Sequence, residues 1–341
     1  MKKSILAAAA VATAAALALS GCVAGEGAPA GDETPSQEGW SATTLNIDFA
    51  TYNPLSLVIK DQGWLEDALG DDVTVNWVQS AGSNKANEAL RAGAIDVGST
   101  AGSAALLARS NGSPIKVIDI YSQPNWAAIL VPASSPVTEV SELKGKHIAA
   151  TKGTDPYFFL LQTLEANGLS LDDVVVENLQ HADGKAALEA GAVDAWSGLD
   201  PLLSTSVANG ASKIIYDNID FNSYGFLNAT EDFITNHADL AQLVVNAYEK
   251  ARAWAEENPE KTAAILAEVA GIDPAIATAV IADRTNLAVD PVPGKAQLDV
   301  LKVIGPVFVE SGDVASQKAI DDALDSLLEP KFAKAADPSA L

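Results

Sequence analysis

One pattern occurs twice in the chain and constrains the fold more than any other feature. The first copy covers residues 89–98 (ALRAGAIDVG) and the second covers residues 187–196 (ALEAGAVDAW). In each copy a glycine, Gly93 or Gly191, stands where a helix would end, and glycine readily adopts the left-handed conformation of a helix C-cap. A short apolar strand containing one aspartate follows. The pattern therefore predicts two copies of a helix–turn–strand unit.

Two further segments repeat in the same order. Residues 50–54 and 150–156 each follow an apolar strand with a polar loop and a proline, and residues 79–82 correspond to residues 180–184. Three matched corners predict two lobes of similar design, each a βαβαβ sheet flanked by helices. The loops at the carboxyl ends of parallel strands form the binding crevice of such sheets. Two facing lobes would therefore enclose one cleft.

Apolar runs and turn residues place the boundaries of these lobes. An apolar run ends at Pro132, where the chain can leave the first lobe, and the return crossing is placed near Ser223. Lobe one is thus predicted to take residues 44–132 and 224–330, and lobe two residues 133–223. After residue 230 the spacing of apolar residues is helical almost throughout. These C-terminal helices are expected to pack on lobe one.

The first residues have the pattern of an export signal. Lys2 and Lys3 precede an apolar run that ends in Leu-Ser-Gly-Cys at Cys22. A basic start, a short apolar core and small residues at the end are typical of a secretory signal peptide. Cys22 is the only cysteine, which rules out an internal disulfide and a cysteine metal cluster. Residues 1–22 are predicted to be the signal peptide and residues 23–43 a flexible linker.

The charge balance argues against some partners. The chain has 45 acidic and 21 basic residues, and its formal net charge is −24. A field of that sign disfavours nucleic acid and anionic lipid surfaces. A small anionic ligand is not excluded, because salt screens the distant field within about 8–10 Å while nearby N–H groups act at contact distance.

Polar residues at two predicted helix starts are candidate anion contacts. Ser99 and Thr100 precede one helix, and Lys152, Gly153 and Thr154 precede another. Helix N-termini bind anions through their unpaired N–H groups and the helix dipole. Both sets also have an ordinary interpretation, because serine and threonine are common helix caps and a lysine suits a solvated surface.

Several other residues have two interpretations that the sequence leaves open. Trp196 either lines the cleft or fills a core, and Asp200 before Pro201 is a helix N-cap whatever else it does. His181 lies on the cleft side, where a lone histidine is more often a contact than a general base. Arg284 stands among polar residues and is interpreted as a surface residue. The histidines lack metal-ligand spacing and no phosphate-binding loop occurs, so no metal or cofactor is expected.

The order and spacing of these corners resemble the substrate-binding proteins of bacterial ABC importers, in particular the branch for aliphatic sulfonates, taurine and nitrate. The resemblance covers about residues 44–328 and rests on the segments 54–70, 89–98, 129–132, 142–146, 152–154, 190–196 and 200–201. It implies an α/β, two-lobed periplasmic-binding-protein-like fold with two hinge crossovers. It also implies hinge closure and delivery of the ligand to a permease and its ATPase. We further expect a monomer, and no enzymatic activity, because the only cysteine is at the tether and His181 stands alone. Leu-Ser-Gly-Cys further resembles a bacterial lipobox, which implies export and lipid anchoring through Cys22 to the outer face of the cell membrane.

The resemblance also implies a set of ligand-binding residues at the carboxyl ends of the strands. They are Tyr52, Asn53, Gly82, Ser83, Ser99, Thr100, Ala101, Gln123, Trp126, Lys152, Gly153, Thr154, Asp155, Tyr157, Trp196 and Asp200. Tyr224 is added to this set because the return crossing near Ser223 places it beside the hinge. The family commonly has another small polar residue where Asp155 stands. A carboxylate there would repel a bound sulfonate and favours a ligand that also carries an amine, or a heterocycle with donors.

Three classes of function remain in competition. The first is a lipid-anchored solute-binding protein for a small organic anion such as an aliphatic sulfonate or taurine; its alternative ligand is a nitrogen heterocycle such as a thiamine-pyrimidine precursor, stacked on aromatic side chains. The second is an enzyme on the same fold, which would have to rely on His181 because the only cysteine is at the tether. The third is an extracellular sensor domain, which would need a membrane span or effector region.

Overall fold

Two five-stranded sheets form the framework of residues 39–341, which are the residues that this computed structural model describes. The predicted signal peptide, Cys22 and most of the predicted linker lie outside the described residues. The strands are β1 (Thr44–Phe49), β2 (Thr74–Gln79), β3 (Val97–Ala101), β4 (Ile115–Ser122), β5 (Ala127–Pro132), β6 (His147–Ala150), β7 (Val175–Asn178), β8 (Ala195–Leu199), β9 (Ser212–Tyr216) and β10 (Gly225–Thr230).

Helices cover both sheets and make up the C-terminal part of the chain. They are α1 (Pro54–Gln62), α2 (Trp64–Leu69), α3 (Ser83–Arg91), α4 (Gly102–Ser110), α5 (Asp155–Ala166), α6 (His181–Glu189), α7 (Leu202–Ala208), α8 (Glu231–Asn236), α9 (Ala238–Glu257), α10 (Pro259–Ala270), α11 (Pro274–Ala279), α12 (Lys295–Glu310), α13 (Gln317–Ser326) and α14 (Lys331–Lys334). Val280–Arg284 forms a π-helical turn after α11. Gly63, with a φ of 65°, ends α1 and separates it from α2.

The two sheets have the same design, as the sequence predicts. The first has the strand order β2-β1-β3-β10-β4 and the second β7-β6-β8-β5-β9. In each sheet three neighbouring strands are parallel and the fourth is antiparallel, β10 in the first sheet and β5 in the second. Each strand of the first sheet therefore has a counterpart at the same position of the second sheet. The fold class expected from the sequence is confirmed.

The repeated sequence pattern has a common structural cause. Gly93 and Gly191 follow α3 and α6 with φ of 66° and 71°, as expected for residues that end a helix. Asp96 accepts a hydrogen bond of 2.8 Å from a backbone N–H of β1. Asp194 accepts one of 2.9 Å from a backbone N–H of β6. In both lobes the aspartate of the pattern therefore fastens the strand that follows the helix to the neighbouring parallel strand.

The first crossing between the lobes comes earlier than predicted. Strand β5 had been assigned to lobe one as the end of residues 44–132, but it pairs antiparallel with β8 and β9 and so belongs to the second sheet. The chain leaves the first sheet between Ser122 and Ala127 and returns between Tyr216 and Gly225. A fully buried strand is apolar in either sheet, so its composition gave no information about which sheet it joins.

The C-terminal helices contact both lobes. Helix α9 buries its apolar face, including Leu240, Val244 and Tyr248, in the core of the first lobe. Helix α12 also reaches the second lobe, where the ring centroids of Phe308 and Phe158 in α5 lie 4.2 Å apart. Within residues 39–341 no helix combines the length and the apolar character that a membrane span requires.

Gly225 stands where the returning chain enters the first sheet, and its lack of a side chain can be tested. A Cβ atom there would lie 2.4 Å from the ring of Tyr121 and 2.6 Å from the hydroxyl of Ser122. Tyr121 is fully buried, so we expect Gly225→Ala to lower the free energy of unfolding by about 2–3 kcal/mol through overpacking. Chemical denaturation of the full chain measures this loss.

Gly294→Ala is the matched control. A Cβ atom at Gly294 would meet only a backbone oxygen at 3.6 Å, so the loss should stay below about 1 kcal/mol, the cost of a poorer helix cap. Equal losses in the two variants would contradict the close contact at Gly225.

Candidate functional site

A small cavity lies between the lobes, where helix α1 begins. Its wall combines the start of α1, the first crossing, the residue after β8 and the C-terminal part of the chain. The lining residues are Thr51, Tyr52, Pro54, Pro124, Trp126, Asp200, Leu266, Val280, Arg284 and Thr285. The enclosed space is about 10 Å³, roughly what one water molecule needs. A solute larger than water therefore does not fit into the cavity in this state of the protein.

Asp155 is the first residue of α5 in the second lobe, and its carboxylate receives four hydrogen bonds. Its Oδ1 accepts from the hydroxyls of Ser103 (2.5 Å) and Ser223 (2.7 Å). Its Oδ2 accepts from Nε1 of Trp126 (2.8 Å) and the backbone N–H of Ser223 (2.8 Å). Ser103 belongs to the first lobe, whereas Trp126 and Ser223 belong to the two crossings. One buried carboxylate thus joins both lobes and both connections.

These bonds change the interpretation of Asp155. Burial raises the pKa of its carboxyl group, and the hydrogen bonds from Ser103, Ser223 and Trp126 oppose that rise. The sequence-based expectation of direct repulsion or amine binding needs a carboxylate that faces the ligand. In the structure both oxygens are engaged by the protein's own donors, so Asp155 acts on the cavity through Trp126, which lines it.

Arg284 lies in the cavity wall, not on the open surface as the sequence had suggested. Its side chain is 14% exposed. Its Nε donates to Oδ2 of Asp200, and its Nη1 lies 3.4 Å from Oδ2 of Asp217. Its Nη2 is buried and has no acceptor among the residues that the structure describes. Sequence reasoning missed this residue because the arginine and its two aspartates are far apart in the chain.

Asp200 combines this ion pair with the capping role that the sequence predicts. Its Oδ1 accepts from the backbone N–H of Ser204 (3.0 Å), in the first turn of α7, and also from the Ser204 hydroxyl. Burial raises the pKa of the Asp200 carboxyl group, and the attraction of Arg284 opposes the rise. Asp200 therefore lines the cavity and stabilises the start of a helix at the same time.

The structure brings Tyr52, Trp126 and Asp200 together from the expected set of ligand-binding residues. The rings of Tyr52 and Trp126 meet edge to face with centroids 6.1 Å apart. Asn53 stands beside them as the cap of α1, where its side chain accepts from the N–H of Ser56 (3.3 Å). These residues form one wall of the cavity and its immediate support.

The candidate hydroxyl groups of the first lobe are engaged within that lobe. Ser83 accepts from the backbone N–H of Ala101 (2.9 Å), and Ser99 donates to the buried carboxylate of Asp48 (3.1 Å). The hydroxyl of Thr100 bonds to the carbonyl of Ala101 (2.9 Å). This arrangement favours the structural interpretation of Ser83, Ser99 and Thr100 over direct ligand contact.

The structure also corrects the expectation that Trp196 is a ligand-binding residue. Its side chain is 0% exposed and packs in the core of the second lobe with Leu130, Leu188 and Leu203. The next residue of β8, Ser197, donates to the carbonyl of Pro156 in α5 (2.6 Å). Alternate residues of a strand point to opposite faces of the sheet, and the pairing of β8 turns Trp196 into the core and away from the cleft.

The remaining expected residues do not line the cavity that the described residues form; they are Gly82, Gln123, Lys152, Gly153, Thr154, Tyr157 and Tyr224. Lys152 is exposed, and its ammonium lies 5.5 Å from the ring centroid of Tyr157. Thr154 donates to the carbonyl of Thr151 (2.6 Å). Within residues 39–341 no group of three or more His, Cys, Asp or Glu side chains is arranged to hold a metal ion.

His181 begins α6 and faces the first lobe. Its Nδ1 lies 3.2 Å from the hydroxyl of Thr151, and a Cβ atom at Gly82 would lie 3.0 Å from its Nε2. Complete burial lowers the pKa of His181 to about 4, so the ring is neutral at neutral pH. In the structure this histidine packs as a neutral ring against the Gly82 loop of the other lobe.

Two α/β lobes joined by two crossings, with a cavity between them, define the class of periplasmic-binding-protein folds. A family model described as NMT1/THI5 like matches residues 55–262, and the chain belongs to this family. The resemblance to substrate-binding proteins that was expected from the sequence is thereby confirmed.

Named relatives agree with this assignment. Two proteins, each described as a putative aliphatic sulfonates-binding protein, come from Escherichia coli (strain K12) and Bacillus subtilis (strain 168). The first is 29% identical over 220 residues, which are 64% of this chain and 69% of that protein. The second is 30% identical over 222 residues, 64% of this chain and 67% of that protein. The alkanesulfonate-binding protein SsuA from Xanthomonas axonopodis pv. citri, bound to MOPS, superposes with a TM-score of 0.75 at 26% identity and covers 83% of this chain and 98% of that one.

The four hydrogen bonds of the Asp155 carboxylate predict that Asp155→Ala strongly lowers the free energy of unfolding. The change leaves two buried N–H donors, on Trp126 and Ser223, without an acceptor. We expect a loss of about 3–5 kcal/mol in the free energy of unfolding. Asp155→Asn should lose less than half of that, because an amide oxygen still accepts from both N–H groups and its NH₂ can donate to the serine hydroxyls.

Denaturation of the full chain at pH 7 checks this order of stabilities. Asp172→Ala, at an exposed aspartate of the same lobe, is the control and should change the free energy of unfolding by no more than about 0.5 kcal/mol. A loss in Asp155→Ala as small as in this control would refute the bridging role.

The lowered pKa of His181 predicts that the stability of the protein depends on pH. Its folded-state pKa of about 4 lies below the ordinary 6.5, so the unfolded chain binds the extra proton first and stability is lost as the pH falls from 6.5 to 4. The loss amounts to about 3 kcal/mol. We expect His181→Gln to remove this part of the pH dependence, whereas His147→Gln, at an exposed histidine of the same lobe, should leave it in place. Chemical denaturation at pH 4 and pH 7 measures this. If the free energies of unfolding of His181→Gln and wild type differ by the same amount at both pH values, the predicted contribution of His181 is wrong.

Proposed function

We propose that the protein is the extracytoplasmic solute-binding component of an ABC importer and that it binds a small organic anion of the sulfonate class. The observation that carries the proposal is the cavity between two duplicated lobes, where Arg284 has a buried donor nitrogen without an acceptor among the described residues. The relatives named as sulfonate-binding proteins support the ligand class.

The start of helix α1 supports an anionic ligand. The first N–H groups of a helix have no partner within the helix and carry the positive end of its dipole. Thr51, Tyr52 and Pro54, around the first turn of α1, line the cavity. Tyr52 and Trp126 supply an aromatic wall for the organic part of the solute. Such a combination of apolar wall and few polar anchors is typical of small-molecule sites.

The two crossings support uptake by opening and closing. The cavity in its present state has room for about one water molecule (about 10 Å³), so we propose that the solute enters an open form. Closure of the lobes over the solute produces a surface that depends on occupancy. We propose that a membrane permease, driven by its ATPase, recognises this closed surface and accepts the solute.

The N-terminal sequence supports a tether. We propose that Cys22 carries a lipid after export and that the segment up to about residue 43 is a spacer between the membrane and a monomeric domain. The proposal assigns no catalytic role to His181, because its ring is held neutral by burial and its Nδ1 contacts a threonine hydroxyl instead of a carboxylate.

A thermal-shift series on the full-length protein tests the ligand class. Methanesulfonate, ethanesulfonate, taurine and MOPS should each raise the melting temperature, because a ligand at about a hundred times its Kd adds about 2.7 kcal/mol. Dimethyl sulfone is the matched control, since it has nearly the shape of methanesulfonate without the charge, and it should have no effect. Stabilisation by pyrimidines and by none of the sulfonates would overturn the ligand class.

A further inference from the structure

Arg284 reaches into the interlobe cavity from the C-terminal part of the chain. Of the side chains that line this cavity in the described part of the chain, Arg284 alone carries a positive charge. Two of its nitrogens face carboxylates, Nε that of Asp200 after β8 of the second lobe and Nη1 that of Asp217 in the return crossing. The third, Nη2, is buried without an acceptor within residues 39–341.

An unmatched guanidinium nitrogen at this place points to a missing acceptor. Leaving a charged donor buried and unpaired costs more than a hydrogen bond normally contributes. The planar guanidinium is suited to oxygen anions, because it presents several N–H groups in a fixed geometry. An acidic group of the solute is therefore the natural partner of Nη2.

The backbone around Arg284 holds it near the hinge. Its carbonyl accepts from the N–H of Asn125 (3.0 Å), and the carbonyl of Asn286 accepts from the N–H of Gln123 (2.9 Å). Both bonds connect the C-terminal segment to the first crossing. Asp200 is fastened to α7 of the second lobe through Ser204, and its backbone N–H also donates to the carbonyl of Trp126 in the first crossing (3.0 Å). Arg284 and Asp200 are thus both fastened beside the first crossing, where the guanidinium lines the cavity.

We propose that Arg284 anchors the acidic head of the solute through Nη2 and that Asp200 makes the site selective for monoanions over dianions. Asp200 and Asp217 already face the same guanidinium, so the three groups together carry a net charge of −1 and each further negative charge on the solute adds repulsion. Like charges brought together in a closed site strongly oppose binding. This inference rests on the proposed function and specifies the anchor and the charge that the site accepts.

Calorimetric titration of the full-length protein tests the anchor. Arg284→Gln should weaken ethanesulfonate binding about 10- to 100-fold, the range for loss of a hydrogen bond to a charged group. Arg284→Lys should restore part of the affinity through its charge. Arg109→Gln is the matched control: it removes the same charge from the first lobe at a side chain that pairs with Glu231 away from the cavity, and it should stay within about threefold of wild type.

The same titrations test the selectivity. Wild type should bind ethanesulfonate at least about tenfold more tightly than sulfate, which is a dianion. Asp200→Asn keeps the shape of the side chain and removes its negative charge. It should therefore reduce the ratio of ethanesulfonate affinity to sulfate affinity, because the dianion meets less repulsion. Binding of ethanesulfonate to Arg284→Gln as tight as to Arg109→Gln would overturn the anchor, and an unchanged preference in Asp200→Asn would overturn the selectivity.

An experiment that needs no sulfonate separates this inference from the proposed function. Crystals of the full-length protein grown in the presence of sodium iodide should show an anomalous peak in contact with Nη2 of Arg284, and Arg284→Gln crystals grown in the same way should not. A wild-type protein that binds iodide there but no sulfonate would overturn the ligand class and leave the anchor standing. No iodide at Arg284 in wild-type crystals would overturn the anchor, whatever the sulfonates do.

Discussion

The buried carboxylate of Asp155 is the interaction on which the arrangement of the lobes depends. A carboxylate in an apolar interior must find donors for its oxygens, and here the donors come from the first lobe through Ser103 and from the crossings through Trp126 and Ser223. Because each donor lies on a different segment, satisfying one side chain fixes three segments relative to the second lobe. The indole of Trp126 is held by this network and at the same time forms part of the cavity wall.

A second network of charged side chains also forms part of that cavity wall. Arg284 reaches from the C-terminal segment to Asp200 of the second lobe and to Asp217 of the return crossing. In a chain of net charge −24, this places a cation where the lobes meet. An N–H group at contact distance, such as the unpaired Nη2 of Arg284 among the described residues, acts more strongly than the distant field, which salt screens within about 8–10 Å. An acidic protein can therefore have a site suited to an anion.

The pairing of β5 and β10 explains why the two lobes are connected as they are. Each is the antiparallel strand of its sheet, and each arrives directly from the other lobe. Each sheet is thus completed by the strand that follows a crossing. The two short connections lie close to Asp155, which bonds to a residue in each of them. Bending at the crossings would therefore separate the lobes without disturbing either sheet.

The sequence by itself determined the features whose causes are local: the duplicated helix–turn–strand unit, its terminating glycines Gly93 and Gly191, and the family to which this order of motifs belongs. The tertiary structure alone decided which sheet takes β5, that Trp196 fills a core, and that Arg284 lines the cavity. Each of these depends on a partner distant in the chain, and an apolar strand, a tryptophan or an arginine has the same local pattern whichever partner it meets.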